Sequence, residues 1–300
     1  MIVIGSRSSD LALWQARFVQ TLLQQKAGLA TEIQVIRTTG DRITDTSLAA
    51  LPGQGFFTKE IEEALLRGEI DLAVHSHKDL PTDSPPGLRV AAVPERGDPA
   101  ECLLVRPEAW SDQAVLPLRS GAVVGTGSAR RRAQLLALRP DLEVRDLRGN
   151  VPTRLRKAKE GAMDAIMLAK AGLTRLALDP APLRVLEFPP AQFVPAPAQG
   201  ALALQMRADG AARERDAILV SALARIHHEP TARQVRAERL LLAALEGGCN
   251  LPLGAYAIDT EDGIRLIAIL GDTGDTLRHC DTQGTTPEQV ARTALAKLTE

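Results

Sequence analysis

Chemically active residue types gather in a few short segments of this 300-residue chain. His75-Ser76-His77-Lys78-Asp79 follows an apolar run at 70–74 and precedes the loop Pro81-Thr82-Asp83-Ser84-Pro85-Pro86-Gly87. Ligands of open α/β sheets bind beyond the carboxyl ends of the strands, so ionisable side chains there point to a site; a plain solvent-facing strand end would use the same residue types. His75 and His77 alternate onto one face of an extended chain, but two imidazoles without a third placed ligand do not define a metal centre, and none is expected. Gly125-Thr126-Gly127-Ser128-Ala129-Arg130-Arg131-Arg132 reads as a strand end, a glycine turn and a helix start. Its free amides and guanidinium groups suit a carboxylate or phosphate. Arg130 stands where a dinucleotide fingerprint needs its third glycine, which disfavours that cofactor. Cations at a helix start oppose the helix dipole, so these arginines require a compensating anion.

Leu147-Arg148-Gly149-Asn150-Val151-Pro152-Thr153-Arg154 repeats the arrangement, with one arginine at a strand end and another in the following helix; Arg7 and Arg175 follow two further predicted strands. Each half of the chain thus places arginines at the mouth of its sheet, an arrangement suited to an anionic ligand with several carboxylates. The last segment is Glu246-Gly247-Gly248-Cys249-Asn250-Leu251-Pro252-Leu253-Gly254. Cys249 sits on a tight turn that leaves its sulfur open to nucleophilic or covalent use, with a small residue filling a turn as the plainer alternative. Cys102 and Cys280 fall inside strand patterns and read as core.

The elements that hold these residues alternate between short β-branched runs and amphipathic helices. Strands are predicted at 2–4, 32–38, 70–76 and 88–93, with a helix opening at Ser9 or Asp10 that carries Trp14, Phe18 and Leu22 on a core stripe, and another over 58–67 closed by Gly68. Past the loop at 95–99 the alternation restarts, with strands at 102–106, 122–125, 142–147 and 163–168 and helices starting near Ser128, at Pro152 and after Lys170. Such alternation predicts parallel sheets covered by helices. A proline-rich crossing segment at 188–197 leads to an extended run at 201–207; helices at 217–226 and 230–245, strands at 255–258, 264–270 and 276–280, and a helix opening on Thr286-Pro287-Glu288-Gln289 follow. The expected fold class is α/β, with two doubly wound lobes plus a smaller α+β C-terminal domain. The expected domains are 1–95 with 199–216, 100–193, and 217–300.

Lysine and arginine number 36 against 37 aspartate and glutamate, so the net charge of −1 excludes a polycation built for nucleic acid or anionic membranes. With 45% hydrophobic and 24% charged residues, disorder is excluded as well. Three cysteines without a C-x-x-C pair exclude a disulfide framework and point to an intracellular protein. No apolar run approaches the roughly 18 residues that span a bilayer, and Met1-Ile2-Val3-Ile4-Gly5 enters a strand pattern without a charged leader, so no export signal is expected.

Taken together and in order, these segments resemble the hydroxymethylbilane synthase family, also called porphobilinogen deaminase. The resemblance runs over nearly the whole chain, from Gly5-Ser6-Arg7 and Leu11-Ala12-Leu13-Trp14-Gln15-Ala16 to Glu246-Gly247-Gly248-Cys249. It implies a cytoplasmic monomer of three domains, the first two resembling the lobes of periplasmic binding proteins. The implied activity is that of a transferase of haem biosynthesis, joining four porphobilinogen molecules head to tail with loss of ammonia to give hydroxymethylbilane. The resemblance further implies a dipyrromethane cofactor attached covalently to Cys249, and Asp79 as the catalytic carboxylate. It assigns Lys78, Ser128, Arg130, Arg131 and Arg154 to the cofactor, and Arg7, Ser9, Gln15, Arg148 and Arg175 to the substrate. Loss of ammonia makes a cationic azafulvene, which an ionised carboxylate stabilises, and every pyrrole brings an acetate and a propionate that need cationic partners.

Four positions depart from the family pattern: Gln54 for lysine, His77 for methionine, Gly127 for serine and Gln205 for glutamate. A non-catalytic two-lobed binding protein for a small anion is the alternative reading, and it leaves Cys249 without a role. A nucleic-acid binder is a third, lacking the interleaved aromatics and basicity such proteins use. The expected partner is therefore the small molecule porphobilinogen, with neither nucleic acid nor membrane.

Overall fold

The computed structural model describes residues 1–39, 58–112, 115–209, 214–245, 251–271 and 276–300. Gln54 and the Cys249 turn lie outside the described residues. Contacts divide the chain into two compact units, Met1–Gly97 with Gly200–Val235 and Asp98–Gln199 with Arg236–Glu300.

The chain opens with β1 (Ile2–Ser6), α1 (Asp10–Ala27), β2 (Thr31–Val35), α2 (Lys59–Arg67), β3 (Leu72–Ser76) and β4 (Leu88–Ala92). The Ser9 hydroxyl caps α1 by accepting from the Ala12 amide at 3.4 Å, and Gly28 ends it in the left-handed region. The face that α1 buries is Ala12, Gln15, Ala16, Val19 and Leu23; Trp14 and Phe18 flank it, stacked at 5.3 Å. The aromatic stripe is therefore a border of the core rather than its centre. Gly68 closes α2 at φ 75, a conformation that costs other residues energy.

In the second unit follow β5 (Glu101–Val105), β6 (Val123–Gly125), α3 (Ala129–Leu138), β7 (Glu143–Arg145), α4 (Val151–Lys159), β8 (Ala165–Ala169), α5 (Lys170–Arg175) and β9 (Arg184–Phe188). The chain then returns as β10 (Leu202–Arg207) and α6 (Glu214–Ala224). The two large sheets have matching orders, β2-β1-β3-β10-β4 and β7-β6-β8-β5-β9. Parallel pairing joins β1 to β2 and β3, and β6 to β7 and β8. Beside this parallel pairing each sheet carries antiparallel neighbours: β10 is antiparallel to β3 and β4, and β5 to β8 and β9. Both exceptions are the strands by which the chain enters a sheet after crossing from the other unit. A parallel neighbour needs a covering crossover connection, and neither entering strand has one. The sequence reading also has no strand at β9, an edge strand that is exposed along most of its length.

The first core joins Ile4, Leu72 and Leu204 of the sheet to Val19 and Leu23 of α1 and to Leu219 and Leu223 of α6. Helix α6 thus covers the first sheet, whereas the sequence reading began the third domain at 217. An amphipathic pattern specifies a helix but not the sheet that it covers. The remaining elements are α7 (Glu229–Ala244), β11 (Leu253–Thr260), β12 (Gly263–Gly271), β13 (Leu277–Gly284) and α8 (Pro287–Thr299), with β11-β12-β13 an antiparallel sheet. Its core takes Ala237 and Leu241 from α7 and Val290, Ala294 and Leu298 from α8. The α8 cap is split: Thr286 accepts from the Gln289 amide at 3.2 Å, while Gln289 accepts from the Thr285 amide at 2.9 Å. Among the described residues no helix is long and apolar enough to cross a membrane.

Candidate functional site

In the first unit, neighbouring parallel strands β1 and β3 deliver their carboxyl ends side by side. β1 runs into Arg7 and Ser9; β3 runs into a single helical turn at His77–Asp79, in which the Leu80 amide donates to the His77 carbonyl at 3.3 Å. Arg7, Ser9, Gln15, His75, Ser76 and Asp79 line one pocket of about 70 Å³. Gln15 Nε2 donates to Ser76 Oγ at 2.8 Å, tying α1 to the end of β3. Asp79 is exposed, and Lys78 lies half-buried in the same turn. Four sequence-proposed residues, Arg7, Ser9, Gln15 and Asp79, are therefore brought together around one space.

His75 is buried and its Nε2 meets Gln205 Oε1 at 3.0 Å. Burial lowers its pKa to about 4, with the Gln205 hydrogen bond opposing that shift and the Arg7 charge adding to it. The imidazole is accordingly neutral at physiological pH. His77 is buried in the turn rather than alternating beside His75 on a strand. Among the described residues no group of three or more His, Cys, Asp or Glu is placed to hold a metal.

The second unit presents its arginines after the parallel strands β7, β6 and β8. Ser128 caps α3, accepting from the Arg131 amide at 3.4 Å. Arg130 Nη2 donates to Glu101 Oε1 at 2.6 Å and Nη1 to the Val194 carbonyl at 2.8 Å. Arg131 Nη2 donates to Glu101 Oε2 at 2.7 Å and Nη1 to the Met167 carbonyl at 3.0 Å. Glu101 is 0% exposed and each arginine 5%, so the anion that the helix start requires is supplied in part by the chain itself. Burial lowers the Arg130 pKa against the pull of Glu101. Two guanidinium groups against one carboxylate still leave a net positive charge, which favours a further anion. Arg148 stands 3.8 Å from Asp146, and Arg154 Nε donates to the Gly149 carbonyl at 2.7 Å. Arg175, at the end of α5, has its pKa lowered to about 10 by burial and remains charged. Asn150 caps α4, accepting from the Thr153 amide at 3.0 Å.

Cys102 and Cys280 are both buried; burial pushes the Cys102 thiol up to about 12 and raises that of Cys280. Both are poor nucleophiles in place. Sequence reasoning missed Glu101, Glu62 and Glu238. Glu101 opens an otherwise apolar buried strand, ECLLV, and a lone charge in such a run signals a buried partner. Glu238, 0% exposed, accepts from the amides of Ala198 at 2.6 Å and Ala257 at 2.9 Å and so ties the proline-rich segment to the small sheet.

Comparison with known proteins adds identity to this geometry. The family model "Porphobilinogen deaminase, dipyromethane cofactor binding domain" matches residues 2–215, and "Porphobilinogen deaminase, C-terminal domain" matches residues 232–300. Porphobilinogen deaminase of Nitratidesulfovibrio vulgaris (strain Miyazaki F) is 49% identical over 263 residues, covering 87% of this chain and 79% of the relative. That of Trichlorobacter lovleyi is 45% identical over 269 residues, covering 89% and 82%. Among solved structures, a nutrient binding protein from Burkholderia cenocepacia aligns at TM-score 0.44 and 14% identity, covering 82% of this chain and 98% of that one, a likeness too distant to carry function. With both family models spanning nearly all of the sequence and relatives near half identical along most of it, the chain belongs to the porphobilinogen deaminase family.

Proposed function

We propose that the chain is a hydroxymethylbilane synthase, a transferase that condenses four porphobilinogen molecules with loss of ammonia. The observation that carries this reading is the shared pocket of Asp79, Arg7, Ser9 and Gln15 at the carboxyl ends of β1 and β3. Arg7 offers a guanidinium to a substrate carboxylate. Asp79 holds a negative charge where ammonia loss generates a cation, and it accepts from pyrrole N–H groups. Gln15, anchored on Ser76, orients the neighbouring polar edge.

The family's dipyrromethane cofactor bears carboxylates, and the second unit's donors fit it: net charge remains around Glu101, and Arg175 is a cation that burial has stripped of much of its hydration. Lys78, Ser128, Arg130, Arg131 and Arg154 are the residues proposed to hold it, with Cys249 as the covalent anchor and Arg148 and Arg175 meeting substrate carboxylates. When bound, the group supplies the pyrrole α-carbon that receives the first unit. In functional terms the chain divides into a lobe with Asp79, an arginine-rich lobe, and a C-terminal domain that carries Cys249. The working form is a cytoplasmic monomer that takes porphobilinogen and neither nucleic acid nor membrane; sedimentation and cell fractionation check this.

The decisive assay is ammonia release from porphobilinogen by the purified protein. Stoichiometric release with formation of a linear tetrapyrrole is expected. Binding of porphobilinogen without ammonia release would identify a binding protein instead.

A further inference from the structure

His75, Gln205 and Glu62 form a buried chain drawn from β3, β10 and α2. Ala203 lies opposite His75, and Gln205 opposite Ala73. His75 and Gln205 therefore share the sheet face that α2 covers, where Ala73 packs with Ile61 and Leu65. Gln205 Nε2 donates to Glu62 Oε1 at 3.0 Å, and Gln205 Oε1 meets His75 Nε2 at 3.0 Å. The direction of this chain is fixed by chemistry. The amide nitrogen donates to Glu62, which turns the amide oxygen toward the ring; that oxygen only accepts, so the ring proton sits on Nε2. Nδ1 of the neutral ring then carries a lone pair, in a residue that lines the Asp79 pocket.

We infer that Glu62, acting through Gln205, holds His75 as the neutral Nε2–H tautomer, giving the Asp79 pocket an uncharged hydrogen-bond acceptor for N–H groups of porphobilinogen. This rests on the function proposed above. Ammonia loss leaves a cation, and an imidazolium beside Arg7 would oppose it. Among the described residues, the charged groups around the ring are Arg7 after β1, Asp79 after β3 and, beyond the amide, Glu62 on α2; the cap of α1, α1 itself and β10 contribute Ser9, Gln15 and Gln205, which are uncharged. Burial and Arg7 both disfavour ring protonation. A carboxylate in direct contact with Nε2 would favour it. Gln205 transmits the orientation of Glu62 without its charge.

The test combines histidine ¹⁵N NMR with the pH profile of kcat/KM for ammonia release. In the wild type, His75 is expected to carry its proton on Nε2 throughout the neutral range, with no acid limb from this ring. Glu62→Gln removes the group that sets the amide and is expected to give mixed tautomers. Gln205→Glu places a carboxylate on Nε2; the expected result is a protonated ring and an acid limb shifted up by about one pH unit or more, with activity retained on the alkaline side. A wild-type ring protonated on Nδ1 would overturn the inference, as would a charged ring in Gln205→Glu with an unchanged profile. If Gln205→Glu does not fold, the wild-type and Glu62→Gln spectra still decide the tautomer. Wild-type protein that releases no ammonia would overturn the enzymatic reading, whatever the tautomer.

Discussion

Asp79 shares a pocket with Arg7 and Glu101 pairs with Arg130 and Arg131, and burial separates the work of the two carboxylates. Asp79 is exposed at its pocket, where a negative charge can meet a substrate cation; Glu101 is fully buried and engaged with Arg130 and Arg131. Asp79→Asn keeps the size and removes the charge, so ammonia release should fall by about 100-fold or more while circular dichroism and the melting temperature stay near wild type. Glu101→Gln should do the reverse in kind. It leaves two buried guanidinium groups without their shared counter-charge, and breaking a buried pair of this sort costs about 3–5 kcal/mol. Urea denaturation should show that loss, and a midpoint equal to wild type would refute the assignment of Glu101 as the internal anion.

At the scale of elements, helix starts position much of the chemistry. Ser128 is both the cap of α3 and a proposed neighbour of the cofactor, and its hydroxyl is already directed at the Arg131 amide. Ser128→Ala should destabilise the second unit by about 1 kcal/mol, and Ser128→Asp, which can still cap, should recover most of that. Denaturation midpoints of the two variants separate a cap from a purely ligand-binding hydroxyl, for which Asp would be no better than Ala. The same logic applies where β5 and β10 enter their sheets. These entering strands lie beside β8 and β3, and they supply Glu101 to the arginines and Gln205 to His75.

For the whole molecule, the covalent anchor is the property most open to refutation. The resemblance assigns the attachment to Cys249, and burial pushes up the thiols of Cys102 and Cys280. The intact mass of purified protein should exceed that of the chain by one dipyrromethane, and limiting porphobilinogen should add further increments of one pyrrole unit each. Cys249→Ser should abolish both the excess and the increments. A mass excess that survives Cys249→Ser would move the anchor elsewhere.

Much of the fold was legible because it rests on local patterns. Ser9, Ser128, Thr286 and Gly68 mark helix ends by their own side-chain or backbone chemistry, and the apolar runs before Ser76 and after Glu101 mark strands. The clustering of Arg7 and Asp79 was legible because parallel strands must deliver their carboxyl ends to one edge. Strand direction at β5 and β10, the sheet that α6 covers, and the partners Glu101, Glu62 and Gln205 were not. Those depend on which segments distant in sequence become neighbours. By itself the sequence determined the helix caps, the strand mouths and the family motifs, since each is written in adjacent residues. Only the tertiary structure decided which arginines are spent on an internal carboxylate and which nitrogen of His75 holds the proton, because burial and hydrogen-bond direction arise only when remote segments meet.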